Sequence, residues 1–243
     1  MAKLPWWHQQ YIRLVASAIW ANERIFFYPK LSAFYRRTLR KDPLILDVGA
    51  NKGQSINFFM GLFPAARIHA FEPNHSLFKQ LLQRFTSSNV KLHPLAASNI
   101  SGEKTFYQSV LDETSSLEKV DTNSSYMKLK SRVLLTSPDK LVADSYNVQV
   151  ITLDAFIQSQ AIGTIDLIKI DVEGHEPAVL QGLEQSLRNH AIQFIQLEEH
   201  HDDQYADSSQ LCNDLLIEAG YSEIFRLKHG FGNFYEVVFG KNN

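Results

Sequence analysis

Residues 44–53, Leu44-Ile45-Leu46-Asp47-Val48-Gly49-Ala50-Asn51-Lys52-Gly53, restrict the fold more than any other stretch of this 243-residue chain. An apolar run that reads as a buried strand enters a turn punctuated by two glycines, and a helical pattern follows at 54–62. Twenty-three positions after Gly49, a second strand pattern ends in Phe71-Glu72-Pro73. Strand, glycine turn, helix and strand ending in an acid form a nucleoside-binding half-unit. The turn offers backbone N–H groups and a helix N-terminus, and the acid accepts hydrogen bonds from ribose hydroxyls.

The details of the turn discriminate between nucleoside ligands. A dinucleotide turn reads G-x-G-x-x-G, and its second glycine lets the backbone approach a pyrophosphate. Here Asn51 stands at that position, so a Cβ and an amide would obstruct the pyrophosphate. Asp47 adds a negative charge that repels phosphates and suits a cationic ligand carrying an ammonium and a sulfonium. S-adenosylmethionine is such a ligand, and it is the expected cofactor.

The composition is 44% apolar and 21% charged, that of a globular chain able to build one large α/β domain. A single cysteine, Cys212, excludes an internal disulfide framework and fits a reducing, cytoplasmic setting. No secretory signal is expected at the start, and no stretch of 18 uncharged apolar residues suggests a membrane span. The net charge of −2 conceals an asymmetry: residues 1–41 carry +7, and the rest is acidic. Trp6, Trp7, Tyr11, Leu14, Val15, Ala18 and Ile19 recur at helical spacing within that basic leader. Two roles suit it, a helical cap on the catalytic domain or a peripheral contact with an anionic membrane. Nucleic acid is not an expected partner, because the body is acidic and lacks an aromatic-basic platform.

Periodicity predicts helices over 6–27, 31–40, 54–62, 75–86, 176–188 and 208–219, the last stopping at Gly220. Strands are predicted at 44–48, 67–71, 90–95, 165–170 and 193–198. The alternation implies a mostly parallel sheet with helices on both faces. Segments 222–227 and 234–239 flank a glycine-containing turn and predict a C-terminal antiparallel hairpin. The expected organisation is a leader over 1–41 and a cofactor-binding domain over 42–243. Residues 111–147 are polar and break the rhythm, which fits either a substrate lid or a surface excursion.

The second dense motif is Asp166-Leu167-Ile168-Lys169-Ile170-Asp171-Val172-Glu173-Gly174-His175-Glu176-Pro177. It delivers four ionisable groups at the carboxyl end of a strand, the edge where open α/β sheets bind ligands. With this motif the chain resembles the FkbM family of S-adenosylmethionine-dependent methyltransferases. The resemblance rests on 47–53, on Phe71-Glu72-Pro73, on Thr152-Leu153-Asp154 and on 168–176. It implies a class I methyltransferase (Rossmann-like) fold and O-methylation of a hydroxyl on a small molecule, sugar or glycan.

The site expected on that basis has three parts. Asp47, Gly49, Ala50, Asn51, Gly53, Glu72, Pro73, Ala97 and Asp171 would hold the cofactor, with Glu72 on the ribose and Ala97 along the adenine. Ser55 either caps the following helix or touches the cofactor. His175 is the expected general base, since an unperturbed imidazole titrates near neutrality, with Asp171 and Glu173 beside it. Its bland alternative is a histidine that packs the turn. Glu173, Glu198 and His200 would meet the acceptor. A Mg²⁺ on Asp171, Glu198 and His200 is a minor alternative, and no resident metal is expected. The competing function is a catalytically silent nucleoside-binding module that recruits partners through its N-terminal helices.

Overall fold

The computed structural model describes residues 27–109, 115–118, 128, 131, 142–200, 206–229 and 234–242. The expected helix over 6–27 lies almost wholly outside the described residues. The first described helix is α1 (Tyr28–Thr38), which buries Leu31 and Tyr35. Seven strands form the main sheet: β1 (Leu44–Val48), β2 (Arg67–Phe71), β3 (Val90–His93), β7 (Ile165–Ile170), β8 (Ile192–His200), β9 (Tyr221–Lys228) and β10 (Phe234–Lys241). Their order is β3-β2-β1-β7-β8-β10-β9. The first five are parallel, and β10 lies antiparallel between β8 and β9. This is the fold expected from the sequence, hairpin included.

All five residues of β1 are buried, as a central parallel strand covered on both faces requires. On one face Leu46, Val48, Ile168 and Ile170 pack under α4 (Leu153–Ser159), α5 (Glu176–Gln181) and α7 (Ala206–Glu218). On the other, Ile45, Ile68 and Leu167 pack under α1, α2 (Gln54–Leu62) and α3 (His75–Arg84). Gly220 takes φ 84 after α7, the left-handed conformation that ends a helix at little cost to glycine. Among the described residues no helix is long and apolar enough to cross a membrane.

Three departures from expectation have physical causes. First, β4 (Ala96–Ala97), β5 (Gly102–Ser109) and β6 (Val142–Ile151) form a separate sheet in the order β4-β6-β5. Residues 142–147, expected within the irregular excursion, are therefore strand. Among the described residues, Ala96, Phe106, Val148 and Val150 form its small buried core with Leu117 and Tyr146 against it, while pairs such as Glu103–Gln149 and Thr105–Asn147 face water. So thin an apolar face leaves a weak alternating signal. Second, α4 forms where no helix was expected, with Thr152 accepting the Ala155 N–H as its N-cap. Third, the helix expected over 176–188 breaks into α5 and α6 (Glu184–Arg188). At the break, Asp154 accepts the backbone N–H groups of Gln185 and Ser186 at 2.8 and 3.0 Å.

Candidate active site

The turn after β1 folds back on its neighbours. Gly49 and Ala50 donate their N–H groups to the Phe71 carbonyl at 3.1 and 2.9 Å. Gly49 has φ 88, and a Cβ there would lie 1.9 Å from the Asp171 carbonyl oxygen. A Cβ on Gly53, at φ 80, would lie 2.4 Å from the Phe85 ring. Both glycines are needed for backbone conformation and for approach. Asn51 is held at φ 48 and donates its N–H to Glu72 Oε2 at 2.7 Å. Glu72, only 5% exposed, accepts a second bond from the Asn74 N–H at 2.8 Å, and Pro73 is half-buried between the two. These two bonds fix the Glu72 carboxylate beside the glycine turn.

Asp47 is fully buried. Its Oδ2 accepts from Ser55 Oγ at 2.5 Å, and its Oδ1 has no hydrogen-bond partner among the described residues. Burial pushes the Asp47 carboxyl above its ordinary value, against the opposing pull of Lys169 and Ser55. Ser55 thus holds Asp47; Gly53 is the N-cap of α2, without a side-chain cap bond. Ala97 belongs to β4 of the small sheet and is packed in the main core beside Phe71 and Phe156.

Across the turn stand the groups of the second motif. Lys169 donates to Asp171 Oδ2 at 2.8 Å. Burial alone would lower the lysine, yet Asp171, Asp47 and Glu236 together raise it above its ordinary value. Glu173 and Gly174 take φ 55 and 95, a left-handed pair that costs a non-glycine residue free energy and recurs at functional sites. Glu176 reaches back from α5 to accept the Val172 and Gly174 N–H groups at 3.0 and 3.2 Å. One carboxylate oxygen each from Asp171, Glu173 and Glu198 lies within 4.8 Å of the others. Such an oxygen-only set can accept bonds from acceptor hydroxyls or ligate a hard divalent cation.

His175, within the second motif, lies in the interior. It is 3% exposed, with Nε2 3.0 Å from Ser98 Oγ. Its Nδ1 is 2.6 Å from Glu118 Oε1, and this bond is the chief cause that holds the Glu118 carboxyl below its ordinary value. Both ring nitrogens are engaged, an arrangement that fits the packing alternative. The ring joins the end of β4 to residues 115–118. The same segment is tied by Ser116 Oγ, which donates to the Val172 carbonyl at 3.0 Å.

Glu198 approaches the cluster from β8. His229, after β9, lies 4.0 Å from Glu198 Oε1 and 3.6 Å from Glu236 Oε1, its ring stacked on Phe27. Of His200 only the backbone is described, paired with Phe234; its side chain and residues 201–205 lie outside the described residues. Lys169, His229, Glu236 and Glu118 were not singled out in the sequence. Lys169 did leave a signal, a lone cation in an apolar strand two residues before an acid. Glu118 left none within its polar surroundings.

A sequence profile described as the methyltransferase FkbM domain matches residues 47–223, most of the chain. The chain belongs to the FkbM methyltransferase family. AMB antimetabolite synthetase AmbE of Pseudomonas aeruginosa is 26% identical over 232 residues, 84% of this chain and 11% of that protein. Hexuronic acid methyltransferase AglP of Haloferax volcanii is 24% identical over 76% of this chain and 68% of its own length. The 2-O-methyltransferase NoeI of Sinorhizobium fredii is 27% identical over 61% and 60%. The chain therefore spans about a tenth to two thirds of the curated relatives it matches. Among solved structures, methyltransferase FkbM from Methylobacillus flagellatus KT superposes with a TM-score of 0.55 at 17% identity, covering 83% of this chain and 44% of that one. That likeness shows the shared class I fold.

Proposed function

We propose that this FkbM-family domain transfers the methyl group of S-adenosylmethionine to a hydroxyl oxygen of a sugar or another small polyhydroxylated molecule. The observation that carries the reading is the buried Asp47 Oδ1, an acceptor without a partner among the described residues. A buried acceptor left unsatisfied costs about 1–3 kcal/mol, and a cationic ligand placed against the turn removes that cost. Asp47, Gly49, Ala50, Asn51 and Gly53 would hold the amino-acid end of the cofactor. Glu72 with Pro73 would hold the ribose, and Asp171 the region near the sulfur. The cofactor supplies a methyl group activated by a positive sulfur, with a neutral thioether as leaving group.

The protein's remaining tasks are to align an oxygen and remove its proton. Glu173 and Glu198 are the carboxylates that would accept that proton, and Lys169 is paired with Asp171 beside them. His175 acts as a positioning residue that draws 115–118 over the second motif. AglP and NoeI support a sugar acceptor. The single free cysteine supports a cytoplasmic setting. The packing of α1 supports the capping role for that part of the leader.

Calorimetric titration with S-adenosylmethionine tests the cofactor step. The wild-type chain should bind, and Asp47→Asn should bind at least tenfold more weakly, about 1.4 kcal/mol, with unchanged circular dichroism. Labelled methyl transfer to hexuronic acids and neutral sugars then tests the acceptor. A folded wild-type protein that binds no S-adenosylmethionine would overturn the proposal.

A further inference from the structure

The amino-terminal edge of the main sheet, opposite the methyl-transfer site, carries a recess of about 370 Å³. It opens between the first residues of β1 and β2, the Ser88-Asn89 turn before β3, and the 160–164 turn that joins α4 to β7. Arg67, His69 and Lys91 line it together with the neutral donors Asn89, Gln160 and Thr164, and no lining residue is acidic. The register explains the concentration of charge. His69 is the parallel partner of Lys91, and Arg67 precedes His69 by two residues, so the three side chains share one face of the sheet.

Nothing described neutralises this strip. The carboxylate on the adjoining stretch of β7, Asp166, is committed to Arg40 at 3.0 Å and to the Leu44 N–H at 2.7 Å. His69 is 7% exposed, stacks on His93 and shares a hydrogen bond with it at 3.1 Å. Burial pushes His69 down to about 4, and His93, Lys91 and Arg67 push in the same direction. His93 is likewise lowered to about 4, by burial and then by Lys91. Arg67 and Lys91 thus add to the effect of burial on His69, and Lys91 to that on His93, with no carboxylate opposing them among the described residues.

We propose that this recess is a second binding site, for a small phosphate-bearing molecule. Arg67 and Lys91 supply two permanent positive charges, which match the roughly −1.5 to −2 carried by a phosphate monoester near neutrality, whereas one carboxylate would balance half of them. Arginine's planar fork adds bidentate geometry toward phosphate oxygens. The recess has room for more than the ion, and its neutral donors can orient the attached group. Separation from the carboxyl edge makes this ligand distinct from cofactor and acceptor.

The test uses the full chain and inorganic phosphate at constant ionic strength, with chloride as control. Phosphate, even as the monoanion that prevails in acid, should raise the NMR titration midpoint of His69 relative to the phosphate-free protein, because the bound anion offsets the repulsion from Arg67 and Lys91. Calorimetry should show phosphate binding that weakens at least tenfold in the Arg67→Ala/Lys91→Ala variant. Both residues are exposed, so the variant is expected to fold and to bind S-adenosylhomocysteine as the wild type does. An equal midpoint shift with chloride, or equal phosphate binding by the variant, overturns the proposal. Citrate binding tighter than phosphate overturns the assignment to phosphate.

Discussion

At the residue scale, the site depends on positions where one side chain, or its absence, permits a close approach. Gly49 is the sharpest case, because its φ of 88 and the Asp171 carbonyl both exclude a Cβ. Gly49→Ala should lower the unfolding free energy by at least about 2 kcal/mol, measured by chemical denaturation. It should also weaken S-adenosylmethionine, since the turn must separate from the second motif to accommodate the methyl. Gly49, Asn51 and Glu72 were recognisable in the sequence because one local segment and one spacing define them. The partners of Glu72 were not, since its bonds to Asn51 and Asn74 depend on how two loops meet. His175 teaches the reverse: the residue type suggested a base, and its surroundings show a buried link between Ser98 and Glu118.

At the scale of elements, Thr152-Leu153-Asp154 shows how a short motif can serve packing and capping together. Thr152 caps α4, Leu153 is fully buried, and Asp154 caps α6 from another part of the chain. Asp154→Ala should cost about 1–2 kcal/mol in a denaturation experiment, with the loss confined to amide exchange in α6 and its junction with α5. Full retention of stability would show that the break after Gln181 is set by Gly182 alone. Gly182 packs so tightly on the Ser98 carbonyl that a Cβ would lie 2.1 Å from it. The arm formed by β5 and β6 gave little warning for a similar reason: its stability rests on cross-strand pairing between distant segments, and its apolar face is narrow.

At the scale of the whole molecule, one buried cation connects several strands. Lys169 lies in central β7, bonds Asp171 beyond the strand end and interacts with Asp47 of β1 and Glu236 of β10. Lys169→Met removes the positive charge and leaves Asp47 and Glu236 buried, and Asp171 half-buried, without it. Unfolding free energy at neutral pH should fall by about 3–5 kcal/mol. Asp47, already raised by burial, should rise further above its unfolded value. The penalty is thus present while the carboxylates are ionised and shrinks as falling pH protonates them. As pH falls toward the ordinary carboxylate range the variant's stability should recover more steeply than the wild type's, as denaturation midpoints across that range would show. A pH-independent difference would mean that packing alone explains the loss.

The amino-acid order by itself determined the seven-stranded sheet, its glycine turn, the C-terminal hairpin and the family, because strand burial, helical period and turn chemistry act over a few residues. Only the tertiary structure decided which polar groups meet: Lys169 with three carboxylates, His175 with Ser98 and Glu118, and Arg67 with Lys91 on one edge. Those encounters join residues up to 122 positions apart, as Lys169 and Asp47 are, and their energies come from burial and mutual distance. Neither quantity exists until the sheet has brought the strand ends together.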